Sequence, residues 1–175
     1  VECSSWNRVP RFDLVGLPDA AVKEAKNRVQ SACENSGFKF PALDIMINLA
    51  PADVKKEGSA FDLAIIVAIL QSDCIIPMSL DLSDKCFIGE LSMSGNFRSI
   101  RGVLSMVLCA KEKGRKEIYV PYDNAKEAYE YVSMCYVLAT PESSKHKMEF
   151  VFSDLSGKCF SVSSGMPSEA PAKSF

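Results

Sequence analysis

Ser59 is one candidate nucleophile in this chain, with capping as the favoured reading. It follows Lys55-Lys56-Glu57-Gly58 and precedes a long apolar run, so it falls where a polar loop turns into a buried helix. Serine is a weak nucleophile without an adjacent base. The one imidazole, His146, lies in a poorly patterned stretch and reads as a solvated surface histidine. Ser59 and Asp62 also stand at capping-box spacing, with Asp in place of the usual Glu. Capping accounts for both residues without catalysis.

Other chemistries have less support. The one Gly-Lys pair, Gly157-Lys158, is followed by Cys159 instead of Ser or Thr, and Phe152 stands where a phosphate loop needs its first glycine. ATP and magnesium are therefore not expected on this chain. The seven cysteines (3, 33, 74, 86, 109, 135 and 159) include no C-x-x-C pair. They lack the spacing of a zinc site and read mostly as small buried hydrophobes of a reducing cytosol. Asp13, Asp19, Asp53 and Asp62 read as caps and turn residues, so no metal site is expected. Four cations remain: Lys55 and Lys56 on the loop, and Arg98 and Arg101 further on. Their functional reading is phosphate contact. The competing reading is a solvated surface partly neutralised by Glu57 and Glu90, which a net charge of −2 favours.

These groups must be positioned by the elements around them. Phe12 to Val15 reads as a strand closing on the turn Gly16-Leu17-Pro18. Asp19 then caps a helix with Val22, Ala25, Val29 and Ala32 on one face, ended by Asn35-Ser36-Gly37. Ile45 to Leu49 is a strand, and residues 50–58 form a polar loop. The helix from about Ala60 to Gln71 is apolar on nearly every side, so it is central and buried. Lys85 to Leu91 is a strand, paired through the turn Ser94-Gly95-Asn96 with Phe97 to Ile100. Gly102 to Lys113 is a helix and Glu117 to Val120 a strand ended by Pro121. Asn124 caps a short helix through Tyr131, and Tyr136 to Leu138 is the last strand. The expected fold is one mixed α/β (α+β) domain over residues 1–141. A poorly patterned extension follows over 142–160, then a linker or disordered tail over 161–175.

At 175 residues the chain suits a single core. Its longest apolar run, Leu63 to Leu70, is too short to cross a bilayer. It begins with Val1, in a polar stretch without an obvious first element, and reads as a piece of a longer cytoplasmic protein.

Three ordered stretches carry a family resemblance. The first is Phe12-Asp13-Leu14-Val15-Gly16-Leu17-Pro18-Asp19, running on to Ser36-Gly37-Phe38-Lys39-Phe40-Pro41. The second is Ile47-Asn48-Leu49-Ala50-Pro51-Ala52-Asp53, continuing through Lys56-Glu57-Gly58 to Phe61-Asp62-Leu63. The third is Phe87-Ile88-Gly89-Glu90-Leu91, then Ser94-Gly95 and Arg101-Gly102-Val103-Leu104. Together they resemble the N-terminal domain of the ComM/YifB, magnesium-chelatase-related family over about Arg11 to Ala128. The segment before the first stretch is shorter than the family pattern, and the sequence leaves that pattern past Pro141.

The resemblance implies a front domain with the Lon-protease/ribosomal-protein-like fold, followed by an AAA+ module that binds ATP and magnesium. It further implies a hexameric, cytoplasmic motor acting on DNA, with branch migration during natural transformation as the role. Lon-like proteases place a serine in a loop similar to Lys56 to Asp62 and a lysine on a later helix. Laid on this chain, those two positions fall at Ala60 and Leu104, which carry neither a nucleophile nor a base. Ser59 lies one residue early, a rotation of about 100° at a helix start. The implied role is a noncatalytic accessory domain contributing DNA engagement or ring assembly. The alternatives are a purely structural oligomerisation or partner-docking module and, less favoured, a Lon-type serine hydrolase.

Overall fold

The computed structural model describes residues 1–129 and, beyond them, four short strands by their backbone alone. Strand β1 (Glu2–Trp6) runs antiparallel to β3 (Asp44–Asn48), and β2 (Arg11–Val15) runs parallel to β3, giving the order β1-β3-β2. Cys3, Ile47 and Leu14 lie abreast in this sheet, as do Ser5, Ile45 and Phe12. Because side chains alternate across a strand, Ile45 and Ile47 are buried while Met46 between them is exposed. β1 was not expected. Its inward positions are Cys3 and Ser5, too polar to show an alternating apolar pattern, and only pairing with β3 reveals it.

The buried face packs against α1 (Ala20–Asn35) and α2 (Asp62–Ser72), through Val22, Ala25, Val29 and Ala32 from α1 and Leu63, Ile66 and Leu70 from α2. Asp19 caps α1 as its sequence position predicts, with Oδ1 accepting the Val22 N–H at 2.7 Å. Ahead of α1 the chain passes Gly16 at φ +99°. A Cβ there would stand 2.3 Å from the Leu49 carbonyl oxygen, so only glycine fits.

The anticipated strand Lys85 to Leu91 divides. β4 (Lys85–Phe87) joins a parallel sheet with β7 (Glu117–Pro121) and β8 (Cys135–Leu138), in the order β4-β7-β8. After Ile88 and Gly89 the chain changes partner, and β5 (Glu90–Leu91) forms a hairpin with β6 (Phe97–Arg98). α3 (Val103–Glu112) and α4 (Ala125–Tyr129) pack on the second sheet around Val103, Val107, Ile118, Val120 and Ala128. The remainder of the helix anticipated through Tyr131 lies outside the described residues.

Three strands follow: β9 (Phe150–Ser153), β10 (Cys159–Val162) and β11 (Ser168–Glu169), antiparallel in the order β11-β10-β9. The strand β10 extends past Ser161 and β11 lies beyond it, where a linker was anticipated. The three phenylalanines and two valines of Phe150–Ser153 and Cys159–Val162 are strand formers. His146, Gly157-Lys158 and residues 170–175 lie outside the described residues. Among the described residues, no helix is long and apolar enough to cross a membrane, and no group of three His, Cys, Asp or Glu side chains could hold a metal ion.

Candidate functional site

The site is built where the loop 50–58 meets the turn 16–19. The Lys56 N–H donates to the Leu17 carbonyl at 3.1 Å, and the Asp19 N–H donates to the Lys56 carbonyl at 3.0 Å. Asp19 joins both segments, because its Oδ2 accepts the Gly58 N–H while Oδ1 caps α1. The Val22 N–H is the largest influence holding the Asp19 carboxyl below its ordinary range. One apolar side chain of this turn faces solvent. Leu17 has φ +55° and is 54% exposed.

The four candidate cations meet different fates. Lys56 is buried, and its ammonium donates to the carbonyls of Pro51 and Val54, the latter at 2.6 Å. It closes its own loop and presents no charge to a ligand, so it drops out of the expected surface. A buried ammonium must find acceptors, and the carbonyls of a tight loop supply them. Lys55 is exposed but pairs with Glu57 at 2.7 Å, a contact that raises its pKa. Arg98 faces Glu90 directly across the β5–β6 ladder, 3.6 Å from its Oε1. Arg101 is exposed, and its backbone is well fixed. The buried Asn124 side chain accepts the Ile100 N–H at 3.0 Å and donates to the Ile100 carbonyl at 2.9 Å. Asn124 was expected to cap α4. It serves instead as a two-bond clamp on Ile100, in the segment between β6 and α3.

Ser59 and Asp62 do not form a capping box either. α2 opens at Asp62, with Phe61 at the N-cap position and no side-chain cap. The Ser59 hydroxyl donates to Glu90 Oε2. The Asp62 side chain is wholly buried and held by Arg28 of α1, whose Nε and Nη2 donate to it at 2.7 and 3.0 Å, while the Leu91 N–H adds a third bond. Burial raises the Asp62 carboxyl pKa and Arg28 opposes that shift. The reason for the correction is α2 itself. A helix apolar on every side buries its first turn, and a carboxylate there needs a charge partner rather than a capping role. Arg28 is not among the candidate residues named from the sequence. The signal that could have found it is this unpaired acid on a buried helix, although nothing in the sequence says which cation answers it.

Two backbone donors at the start of α2 are engaged within the fold. The Leu63 N–H donates to the Gly89 carbonyl at 3.2 Å, the Asp62 N–H to the Ser59 carbonyl at 3.4 Å, and the Gly89 N–H to the Ala60 carbonyl at 3.0 Å. Ala60 packs its methyl group against the second core cluster. Leu104, on α3, gives its N–H to Glu127 Oε1 at 3.2 Å.

The cysteines divide. Cys33 is buried, and desolvation pushes its thiol pKa up to about 12. Cys3 and Cys86 are half-buried, whereas Cys74 and Cys109 are exposed, contrary to the expectation of mostly buried thiols.

Fold and site together define a mixed α/β domain whose helix-opening loop is braced by ion pairs and carbonyl contacts. The chain belongs to the family described as subunit ChlI of Mg-chelatase, whose model matches residues 1–124. It is 43% identical over 128 residues to competence protein ComM of Haemophilus influenzae, covering 73% of this chain and 25% of that protein. It is 44% identical over 128 residues to YifB of Escherichia coli, with the same two coverages. Lon protease of Buchnera aphidicola is more distant, at 27% identity over 113 residues, 63% of this chain and 14% of that protease. The chain thus spans about a quarter of the length of its ComM and YifB relatives.

Proposed function

We propose that this chain is a noncatalytic accessory domain of a ComM-like AAA+ ATPase that processes DNA. Its contribution is DNA engagement through Lys55, Arg98 and Arg101. The observation that carries the noncatalytic half is the commitment of the α2 opening to structure. By resemblance to Lon-like proteases the two dyad positions fall at Ala60 and Leu104, while the Leu63 N–H is given to Gly89 and the Ser59 hydroxyl to Glu90. The DNA half rests on likeness to ComM and on three exposed cations. On this reading the whole protein is a cytoplasmic hexamer whose ATP and magnesium sit on its ATPase module, and its work is branch migration during natural transformation.

The test is fluorescence anisotropy with single-stranded and branched DNA, on the chain alone and held as a ring by a fused oligomerisation domain. Charge reversal at Lys55, Arg98 and Arg101 should abolish a salt-dependent signal. Absence of binding at low salt, even in the ring, refutes DNA engagement. A serine-reactive fluorophosphonate should leave Ser59 unlabelled, and labelling would refute the noncatalytic half.

A partner-docking module is the second reading, favoured by Leu17. A bulky residue held at positive φ with its side chain exposed is a strained display. It predicts self-association that survives the three charge reversals and is lost in Leu17→Ser.

A further inference from the structure

Glu90 is placed with unusual definition for a partly exposed carboxylate. Cross-strand pairing fixes its backbone opposite Arg98. Its Oε2 accepts the Ser59 hydroxyl, and its Oε1 lies 3.6 Å from Arg98 Nη1. Both oxygens are therefore directed, one by a serine on the preceding loop and the other toward the arginine. The Glu90 side chain is 23% exposed and that of Arg98 64% exposed, so the arginine reaches solvent while its counter-charge sits behind it. Ser59, left without a catalytic or capping role, is accounted for by this contact. Residues directly opposite on an antiparallel pair cannot separate without breaking the ladder, so Arg98 cannot leave Glu90 by moving its backbone.

The geometry points to Glu90 as an intramolecular competitor for phosphate at Arg98, held in position by the Ser59 hydroxyl. Anion binding at this surface then proceeds by exchange. A backbone phosphate takes the Arg98 guanidinium, and the Glu90 carboxylate keeps only Ser59. The surface is self-inhibited, and its affinity for nucleic acid is set by how firmly Glu90 is held. Lys55 is restrained more simply, by its pair with Glu57 at 2.7 Å. This inference rests on the proposed DNA engagement and adds how the same surface is restrained.

The experiment measures binding of a fluorescein-labelled oligothymidylate to the full 175-residue chain across a salt series. Glu90→Gln should bind about 5-fold tighter than the wild type at low salt. Its logarithmic salt slope should stay close to that of the wild type, because exchange brings the same number of phosphates onto the protein in both. Ser59→Ala, which frees Glu90 without changing charge, should bind about 2-fold tighter. Glu112→Gln makes the same change in net charge on the exposed end of α3 and serves as the control. Arg98→Gln placed on Glu90→Gln should cancel the gain. Thermal melting of each variant separates these effects from unfolding.

If the wild type binds and Glu90→Gln gains no more than Glu112→Gln, the exchange is overturned while DNA engagement stands. If Ser59→Ala binds as the wild type does, the positioning role of Ser59 is overturned. If no protein binds, including Glu90→Gln with its arginine released, both the exchange and the DNA reading fail.

Discussion

Replacing Arg28 by Met should be among the most destabilising single changes in this domain, and its cost should depend on pH. In the native structure Asp62 is wholly buried, with two bonds from Arg28 and one from the Leu91 N–H. Arg28→Met keeps the length and packing of the side chain but leaves the carboxylate with the Leu91 donor alone. Stranding a buried charge costs about 3–5 kcal/mol. The Arg28 side chain is 15% exposed, so solvent screens part of its attraction and about 3 kcal/mol is the better figure. For a chain of this size that corresponds to a fall in Tm of about 6–12 °C.

The pH dependence follows from the direction of the Asp62 shift. Desolvation already raises its pKa against the opposition of Arg28, and removing Arg28 raises it further. A carboxyl whose folded pKa exceeds its unfolded value binds its proton more tightly in the native state. Stability from that proton is fully present below the unfolded pKa, about 4, and is lost as pH rises through the folded pKa. The gap between Arg28→Met and the wild type should therefore be small near pH 4 and reach its full size at neutral pH. Urea denaturation across that range measures it. Arg28→Met/Asp62→Leu removes both charges and should recover most of the loss, because replacing a buried pair with apolar groups is often neutral. A gap under about 1 kcal/mol at neutral pH, a gap independent of pH, or a double variant no better than the single one would each refute the reasoning.

Two further outcomes test other parts of the site. Lys56→Met should cost about 1–2 kcal/mol by urea denaturation, since the Pro51 and Val54 carbonyls lose their donor. At temperatures where it is folded it should bind DNA like the wild type, and a large specific loss would mean that Lys56 reaches phosphate after all. Alkylation by iodoacetamide at mildly alkaline pH should modify Cys74 and Cys109 well before Cys33, whose thiol is buried and pushed to about 12. Peptide mass spectrometry showing Cys33 modified at the same rate would contradict its burial.

Much of the architecture was legible because local signals agreed with the tertiary outcome. Asp19 caps α1 by a contact three residues long, which spacing alone can specify. The all-round apolar character of Leu63 to Leu70 announced the central helix, and Pro121 marked the end of β7. Glu57 and Glu90 were visible as neutralisers because they lie near their cations in sequence or across a short hairpin. β1 was not legible, because its inward residues are Cys3 and Ser5 and its pairing partner lies some forty residues away. The split of Lys85 to Leu91 into two strands was hidden for a similar reason, since its halves pair with different partners.

The sequence by itself determined which chemical groups are present. It set the order of the main helices and strands and supplied the family likeness. Only the tertiary structure decided what the remaining charged groups do. It turned Lys56 inward onto carbonyls, Asp62 onto Arg28 and Ser59 onto Glu90. The physical reason is that the role of a charged side chain depends on its depth and on partners brought by other elements. Depth is a property of the packed layers, which no stretch of seven residues contains.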